Sequence, residues 1–396
     1  MFKKTLISLA LATAVVSTSS AAVRLLSWND NKSSLSFAGH VRLGYLDQNN
    51  QTKNEANYVK NDSGVWSLRT RLMFTLRQYI NDDLTAGAYL RATHTFSSTH
   101  AYRVTWTYAD RSYGAKTYSP RHNKMPVRID RFYTYLDSKT YGRLTLALST
   151  GDYVTAQGSA DVRDFGTSTL YLGNQKRAIT YAYLDTQDRL INYTTPNLSA
   201  NVPLSASVSY GDMRSQQTLN GENKRRYDTE VSGALIYQLG NLGQVQLLAA
   251  QKQVYASYTN KYATKGFQLG ADLRPLGNLR VRAEVSTAKA ETAATSTRYT
   301  SAGIDLSYRV GAFTPYTGFL YANTEIKSKT GAATRANNAY EGYFGTSYNL
   351  ASKVLGTFNF TVFAEGLVSY TDYYKNYGTQ LSAHRFAVAT GLITTW

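Results

Sequence analysis

The stretch SLRTRLMFTLRQ, Ser67–Gln78, sets Arg69, Arg71 and Arg77 on one parity of the chain and Leu72, Phe74 and Leu76 on the other. A period of two belongs to an extended strand, whose successive side chains point to opposite faces. The pattern recurs from end to end and predicts about sixteen strands: Leu35–Gln48, Val65–Ile80, Leu84–Phe96, Pro126–Leu136, Arg143–Thr150, Arg189–Thr195, Leu204–Asp212, Tyr227–Leu239, Gln244–Tyr258, Lys265–Leu273, Leu279–Ala288, Arg298–Arg309, Ala312–Glu325, Ala339–Leu350, Leu355–Thr371 and Leu381–Trp396. Short turn-rich links, such as INDDL at Ile80–Leu84, DSKTYG at Asp137–Gly142 and RVG at Arg309–Gly311, alternate with long polar ones at Asn49–Gly64, Ser97–Lys124, Gly151–Asp188 and Met213–Arg226. Such alternation implies an up-and-down antiparallel sheet with two unlike ends, the form of a transmembrane β-barrel with short periplasmic turns and longer outer loops.

A barrel also gives each parity its own solvent. Backbone crossing lipid must be hydrogen-bonded within a closed sheet, so side chains alternate between lipid and lumen. The mean hydropathy of −0.36 fits a chain in which half of each strand is wet. An outward arginine near mid-membrane costs about 2–4 kcal/mol, so Arg69, Arg71 and Arg77 are expected to face the lumen. Arg131 shares its parity with Tyr133 and Tyr135, opposite Phe132 and Leu136, and is expected to do the same. Arginine suits such crowding because it stays charged beside like neighbours. In RFAVATGLITTW, Phe386, Val388, Thr390, Leu392 and Trp396 form one outward stripe that ends on an aromatic residue.

Composition sharpens this picture. Lys3 and Lys4, the apolar run Leu6–Val16 and the small residues Ser17–Ala22 read as a secretory signal peptide over residues 1–22, leaving 23–396 as a single domain. Beyond it, nothing approaches the ~18 consecutive apolar residues of a spanning helix. The chain has no cysteine, so hydrogen bonding and burial must hold the fold. Tyrosine is abundant at 33 and proline scarce at 6, a bias toward strands. A formal net charge of +17 calls for anionic contacts, and export argues against nucleic acid.

Three further stretches carry a resemblance: RTRLMFTLRQYINDDLTAGAYL from Arg69, RFYTYLDSKTYGRLTLALSTGDY with the later DFG, and LINYTTPNL followed by ASVSYGD. Together with the terminal strand they resemble the general diffusion porins of Gram-negative outer membranes, sixteen-stranded trimeric barrels whose third loop folds inward. The resemblance implies a water-filled channel for passive diffusion of small hydrophilic solutes and ions, with no cofactor. It makes Gly151–Asp188 the constriction loop and sets loop carboxylates against an arginine ladder. Arg71 and Arg131 match arginines of that ladder, Asp164 matches the acid before the loop's Phe-Gly, and Asp161 is a looser match to a second loop acid. Arg69 is a neighbour of the ladder; Asn192 stands where many relatives have arginine. Two acids against these arginines in a basic chain point toward anion preference. The implied partners are two further copies of the chain, outer-membrane lipid and lipopolysaccharide, and the barrel assembly machinery, engaged through the C-terminal strand.

The basic segment Ser97–Lys124, with its exit to Arg128, offers Arg103, Arg111, Lys116, Arg121, Lys124 and Arg128 against Asp110. It could draw anions to the mouth, bind lipopolysaccharide phosphates, or be a plain solvated surface, with attraction confined to about 8 Å at physiological salt. Two other classes stay open. One is an adhesin or receptor barrel without an open channel. The other is a barrel hydrolase, for which only His94, His100 and His122 near the outer rim speak. The five histidines show no HExxH spacing, and neither GxSxG nor a Walker loop is present.

Overall fold

A computed structural model describes residues 22–53, 57–107, 112–113, 117–150, 178–182, 184, 188–197, 203–219, 222–255, 261–329, 335–354, 358–373 and 381–396. Its strands are β1 (Ala22–Trp28), β2 (Ser33–Lys53), β3 (Asn57–Tyr79), β4 (Leu84–Thr107), β5 (Ser112–Tyr113), β6 (Thr117–Ser138), β7 (Gly142–Thr150), β8 (Arg189–Thr194), β9 (Leu204–Leu219), β10 (Glu222–Gln238), β11 (Gly243–Tyr255), β12 (Lys261–Leu273), β13 (Leu279–Glu291), β14 (Thr295–Tyr308), β15 (Phe313–Ser328), β16 (Arg335–Val354), β17 (Phe358–Tyr373) and β18 (Leu381–Thr395). Each pairs antiparallel with its neighbours, and β18 returns to β2, which closes a sixteen-stranded barrel. Two of the eighteen strands add no wall position. β5 is a two-residue piece against β4. β1 shares one position with β18: Ala22 lies opposite Ala38, Thr395 opposite His40, and between them Trp396 and Gly39 exchange backbone hydrogen bonds of 3.0 and 3.1 Å.

All sixteen expected strands are present. The asymmetry between the two ends differs from expectation, because the strands themselves run on where loops were expected. Asn49–Gly64 is mostly the paired upper ends of β2 and β3, and Met213–Arg226 is mostly those of β9 and β10. Strands β2, β3, β4 and β6 reach 21, 23, 24 and 22 residues, about twice the 9–11 that cross a bilayer. Above the lipid both faces are wet, so alternation fades while backbone pairing continues.

Parity holds in the membrane. Phe267, Phe344 and Leu148 point outward at 58 %, 63 % and 65 % exposure, whereas their inward neighbours Gln268 and Ala147 are buried. The last strand keeps the expected outward stripe, with Phe386 and Val388 exposed and Ala387 and Ala389 buried between them. The lumen is less uniformly polar than alternation alone suggests. Inward-facing Leu46, Tyr316, Tyr343, Phe363, Leu367, Ala387, Ala389 and Ile393 pack into one buried cluster across β15–β18 and β2. One side of the bore is thus lined by a small apolar core.

The short-turn end is pinned by side-chain caps. Asn81 Oδ1 accepts the N–H groups of Asp83 and Leu84 at 2.9 and 2.8 Å. The Asp83 carboxylate accepts the Ser138 hydroxyl at 2.7 Å and both the hydroxyl and N–H of Thr140, at 2.8 and 2.9 Å, which ties one hairpin to the next. These bonds hold the Asp83 carboxyl below its ordinary range.

Candidate functional site

Four adjacent strands bring five arginines to the lumen at one height. Arg42 of β2 lies opposite Arg69 of β3, His40 opposite Arg71, Arg71 opposite Thr93 of β4, and Arg91 opposite Arg131 of β6. Directly opposed residues share a face with Cβ atoms about 5 Å apart, so the arginines form a contiguous patch. All stand seven to ten residues in from the short-turn ends of their strands.

Within the patch sits Asp130. Simple alternation would send it to lipid beside inward Arg131, but the β4–β6 register slips between Arg91 and Ala92, and again between Thr93 and Thr95. The first slip is a bulge that turns Asp130 inward along with Arg131. Arg91 donates to it through Nε and Nη2, both at 2.8 Å, and the Thr93 hydroxyl donates at 3.0 Å. The pair is 7 % and 10 % exposed, well shielded from water. Arg71 Nε and His40 Nε2 are buried without a hydrogen-bond partner among the described residues.

Below the patch, toward the short turns, Tyr89 and Tyr133 stack with centroids 5.0 Å apart, and the Arg143 guanidinium lies 4.0 Å over the Tyr135 ring. Across the bore, eight strands around from β3 and β4, are β12 and β13. There Gln268 donates to Glu284 at 2.9 Å, both buried. The described end of segment 151–188 rests on this far side. Its turn Ala178–Ala182 packs against β11–β14, Ala178 N–H donates to Ser301 at 2.9 Å, Tyr181 stacks on Tyr299 at 3.8 Å, and Leu184 N–H donates to Glu230 at 2.6 Å. Ser301, Tyr299 and Glu230 are all inward by parity, so this part of the segment lies inside the barrel.

Of the residues singled out from sequence, the fold brings Arg69, Arg71 and Arg131 together. Asp161, Asp164 and the side chains of the basic segment through Lys124 lie outside the described residues. Arg77 is inward but exposed beside Ser34 and Gly87, near the turn. Asn192 is buried and donates to the hydroxyls of Ser207 and Ser209 at 2.8 Å each, so the arginine row has no continuation on β8. Sequence reasoning missed Arg42, Arg91, His40 and Asp130. Arg42 and Arg91 carried a usable signal, since each lies mid-strand where an outward cation is costly.

A closed antiparallel barrel with a lipid-facing apolar coat, a charged lumen and a segment resting inside it defines an outer-membrane channel. Residues 7–361 match the family model described as Gram-negative porin, and the chain belongs to that family, in the outer membrane of a Gram-negative bacterium. Similar solved structures include the anion-selective porin from Comamonas acidovorans, with a TM-score of 0.57, 15 % identity, and 92 % of this chain and 100 % of that one covered. The OmpT outer membrane protein of Vibrio cholerae in trimer form has a TM-score of 0.50, 13 % identity, and 90 % and 99 % covered. The OmpF of Salmonella typhi in complex with daunomycin has 0.53, 12 %, and 92 % and 100 %. At these identities the likeness shows the fold alone. A search of curated protein sequences finds no match to this chain.

Proposed function

We propose that the barrel passes small hydrophilic solutes and ions by passive diffusion, without catalysis, and prefers anions. The observation that carries this reading is the level patch of Arg42, Arg69, Arg71, Arg91 and Arg131. Charged rings in a narrow, partly dehydrated slot select permeants by sign. An anion reaching the patch exchanges part of its hydration for guanidinium donors, while a cation meets like charge. Asp130 offsets one of these five charges, that of Arg91, which holds it. Segment Gly151–Asp188 is the constriction in this reading, with Asp161 and Asp164 facing the arginines across the slot. Residues 1–22 serve as the export signal and 23–396 as the barrel domain. The working unit is a homotrimer, as the OmpT relative is described, set in outer-membrane lipid and assembled through its C-terminal strand.

Reversal potentials in a salt gradient across planar bilayers test the preference. Wild type is expected to favour the anion, and Arg71→Ser and Arg131→Ser to shift the permeability ratio toward cations by severalfold each. Arg77→Ser, near the turn, should change it little. A wild-type channel that favours cations, or two serine variants indistinguishable from it, would leave the arginines as ordinary lumen lining.

A further inference from the structure

Two residues beyond Arg91 and Arg131, about 7 Å nearer the short turns, the lumen-facing wall turns aromatic. Tyr89 of β4 lies opposite Tyr133 of β6, the next inward row sets Gly87 opposite Tyr135, and on β7 the same rows carry Ala147 and Thr145. One row further toward the turns, Arg143 lies opposite Asp137. The arginine patch and this tyrosine shelf therefore share strands β4 and β6, and a solute leaving the patch toward the short turns passes over the shelf.

The shelf is held in shape by its own packing. Tyr89 and Tyr133 stack at 5.0 Å with their planes 20° apart. A Cβ on Gly87 would run into the Tyr135 ring, so that ring lies over bare backbone, and the Arg143 guanidinium covers it at 4.0 Å. The other flank of Tyr133 is β7, where Ala147 offers only a methyl group. What remains is a notch with Tyr133 as one wall, Arg143 held on Tyr135 at the turn side, and Ala147 as floor. Its three tyrosines and Arg143 are half-buried, so part of each stays open to the bore. Among the described residues the hydroxyls of Tyr89, Tyr133 and Tyr135 make no hydrogen bond and Arg143 makes no ion pair, with Asp137 or any other carboxylate. Asn192, next to Thr145 in the same row, contrasts with them, its amide being taken up by Ser207 and Ser209.

We propose that this notch is a solute-binding stop distinct from the arginine patch, and that it takes monocyclic aromatic carboxylates. The ring stacks on Tyr133 over Ala147, and the carboxylate accepts the planar fork of Arg143, which Tyr135 positions. An aliphatic acid finds only the fork there, and a neutral ring finds only the tyrosine face. Neither half alone distinguishes such solutes; their adjacency on β6 and β7 does. The contact suits a channel because each half is weak, and a solute held at several weak sites still leaves. The inference rests on the open diffusion channel proposed above, which delivers the solute to the notch.

The test records chloride current through single channels of the full-length protein in planar bilayers at pH 7, with benzoate, acetate or benzyl alcohol added to both chambers. Benzoate is expected to halve the current at a concentration at least tenfold below that of acetate. Benzyl alcohol, which has the ring without the charge, should block no better than acetate. In Tyr133→Ala the advantage of benzoate over acetate should vanish, and in Arg143→Gln benzoate should block no better than benzyl alcohol; Tyr133→Leu replaces an alanine variant that forms no channels. Equal block by benzoate and acetate in wild type, block by benzyl alcohol equal to that by benzoate, or a benzoate advantage kept in either variant overturns the proposal. The reversal potential in a potassium chloride gradient, read on the same membranes, tests the anion preference by itself. A channel that favours cations yet is blocked by benzoate tenfold better than by acetate would sink that preference and leave the notch standing.

Discussion

At the scale of single residues, Asp130 shows how one acid is kept from cancelling a cationic patch. Its two oxygens are taken by the Arg91 fork and the Thr93 hydroxyl in a site with little water. Removing one member of a buried pair leaves the other charge without compensation, at a cost of about 3–5 kcal/mol. Asp130→Asn should therefore lower the barrel's thermal unfolding temperature and, in the same protein, raise anion preference by releasing Arg91 into the slot. Calorimetry and reversal potentials together check the two opposite signs; a variant with reduced anion preference would contradict the role given to Arg91. Arg71 and Arg131 were legible in the sequence because mid-strand cations facing lipid are expensive. Arg42 and Arg91 were equally legible by that rule and needed only the register to join the patch. Asp130 was not, because a period of two has no place for a bulge. The inward apolar cluster around Leu367 also escaped, since a strand apolar on both faces gives no alternation to read.

At the scale of elements, hairpin positions were set by short turns and outward stripes, both visible in the sequence. Strand lengths were not, because pairing above the lipid leaves no periodic trace. The turns can be probed on their own. The Asp83 carboxyl has its pKa lowered by hydrogen bonds from Ser138 and Thr140. A lowered carboxyl contributes stability that is full above its unfolded value and is lost as pH falls through the folded one. The link between the β3–β4 and β6–β7 hairpins should thus hold at neutral pH and loosen below about pH 4, the ordinary carboxylate range. The protection factors of the Thr140 and Tyr141 amides, exchange measured against the intrinsic rate at the same pH, are expected to fall on acidification in wild type, and to be low at both pH values in Asp83→Asn. A wild-type protection factor that does not change with pH would remove Asp83 from this role.

At the scale of the whole molecule, the seam where β1, β2 and β18 meet decides whether the sheet has edges at all. Trp396 lies over the bare backbone of Gly39, where a Cβ would stand 2.5 Å from the indole and 2.9 Å from the Arg71 carbonyl. Phe37 and Phe358 flank the same ring, with centroids 6.3 and 5.6 Å away. Gly39→Val is expected to displace Trp396 and slow closure, seen as a smaller fraction of compact, heat-modifiable protein on semi-native gels after refolding into detergent. Trp396→Ala in the same background should recover part of that fraction, because the clash is gone; no recovery would mean the valine acts on the backbone alone. The pairing of His40–Lys53 with Ser382–Thr395 also has a consequence in time. A segment made early must wait, unpaired on one side, for a segment made more than 300 residues later. Until then every intermediate presents two open sheet edges, which lipid cannot satisfy. The final insertion is thus bound to be a late, concerted event that needs some other protein or surface to shelter those edges during the wait.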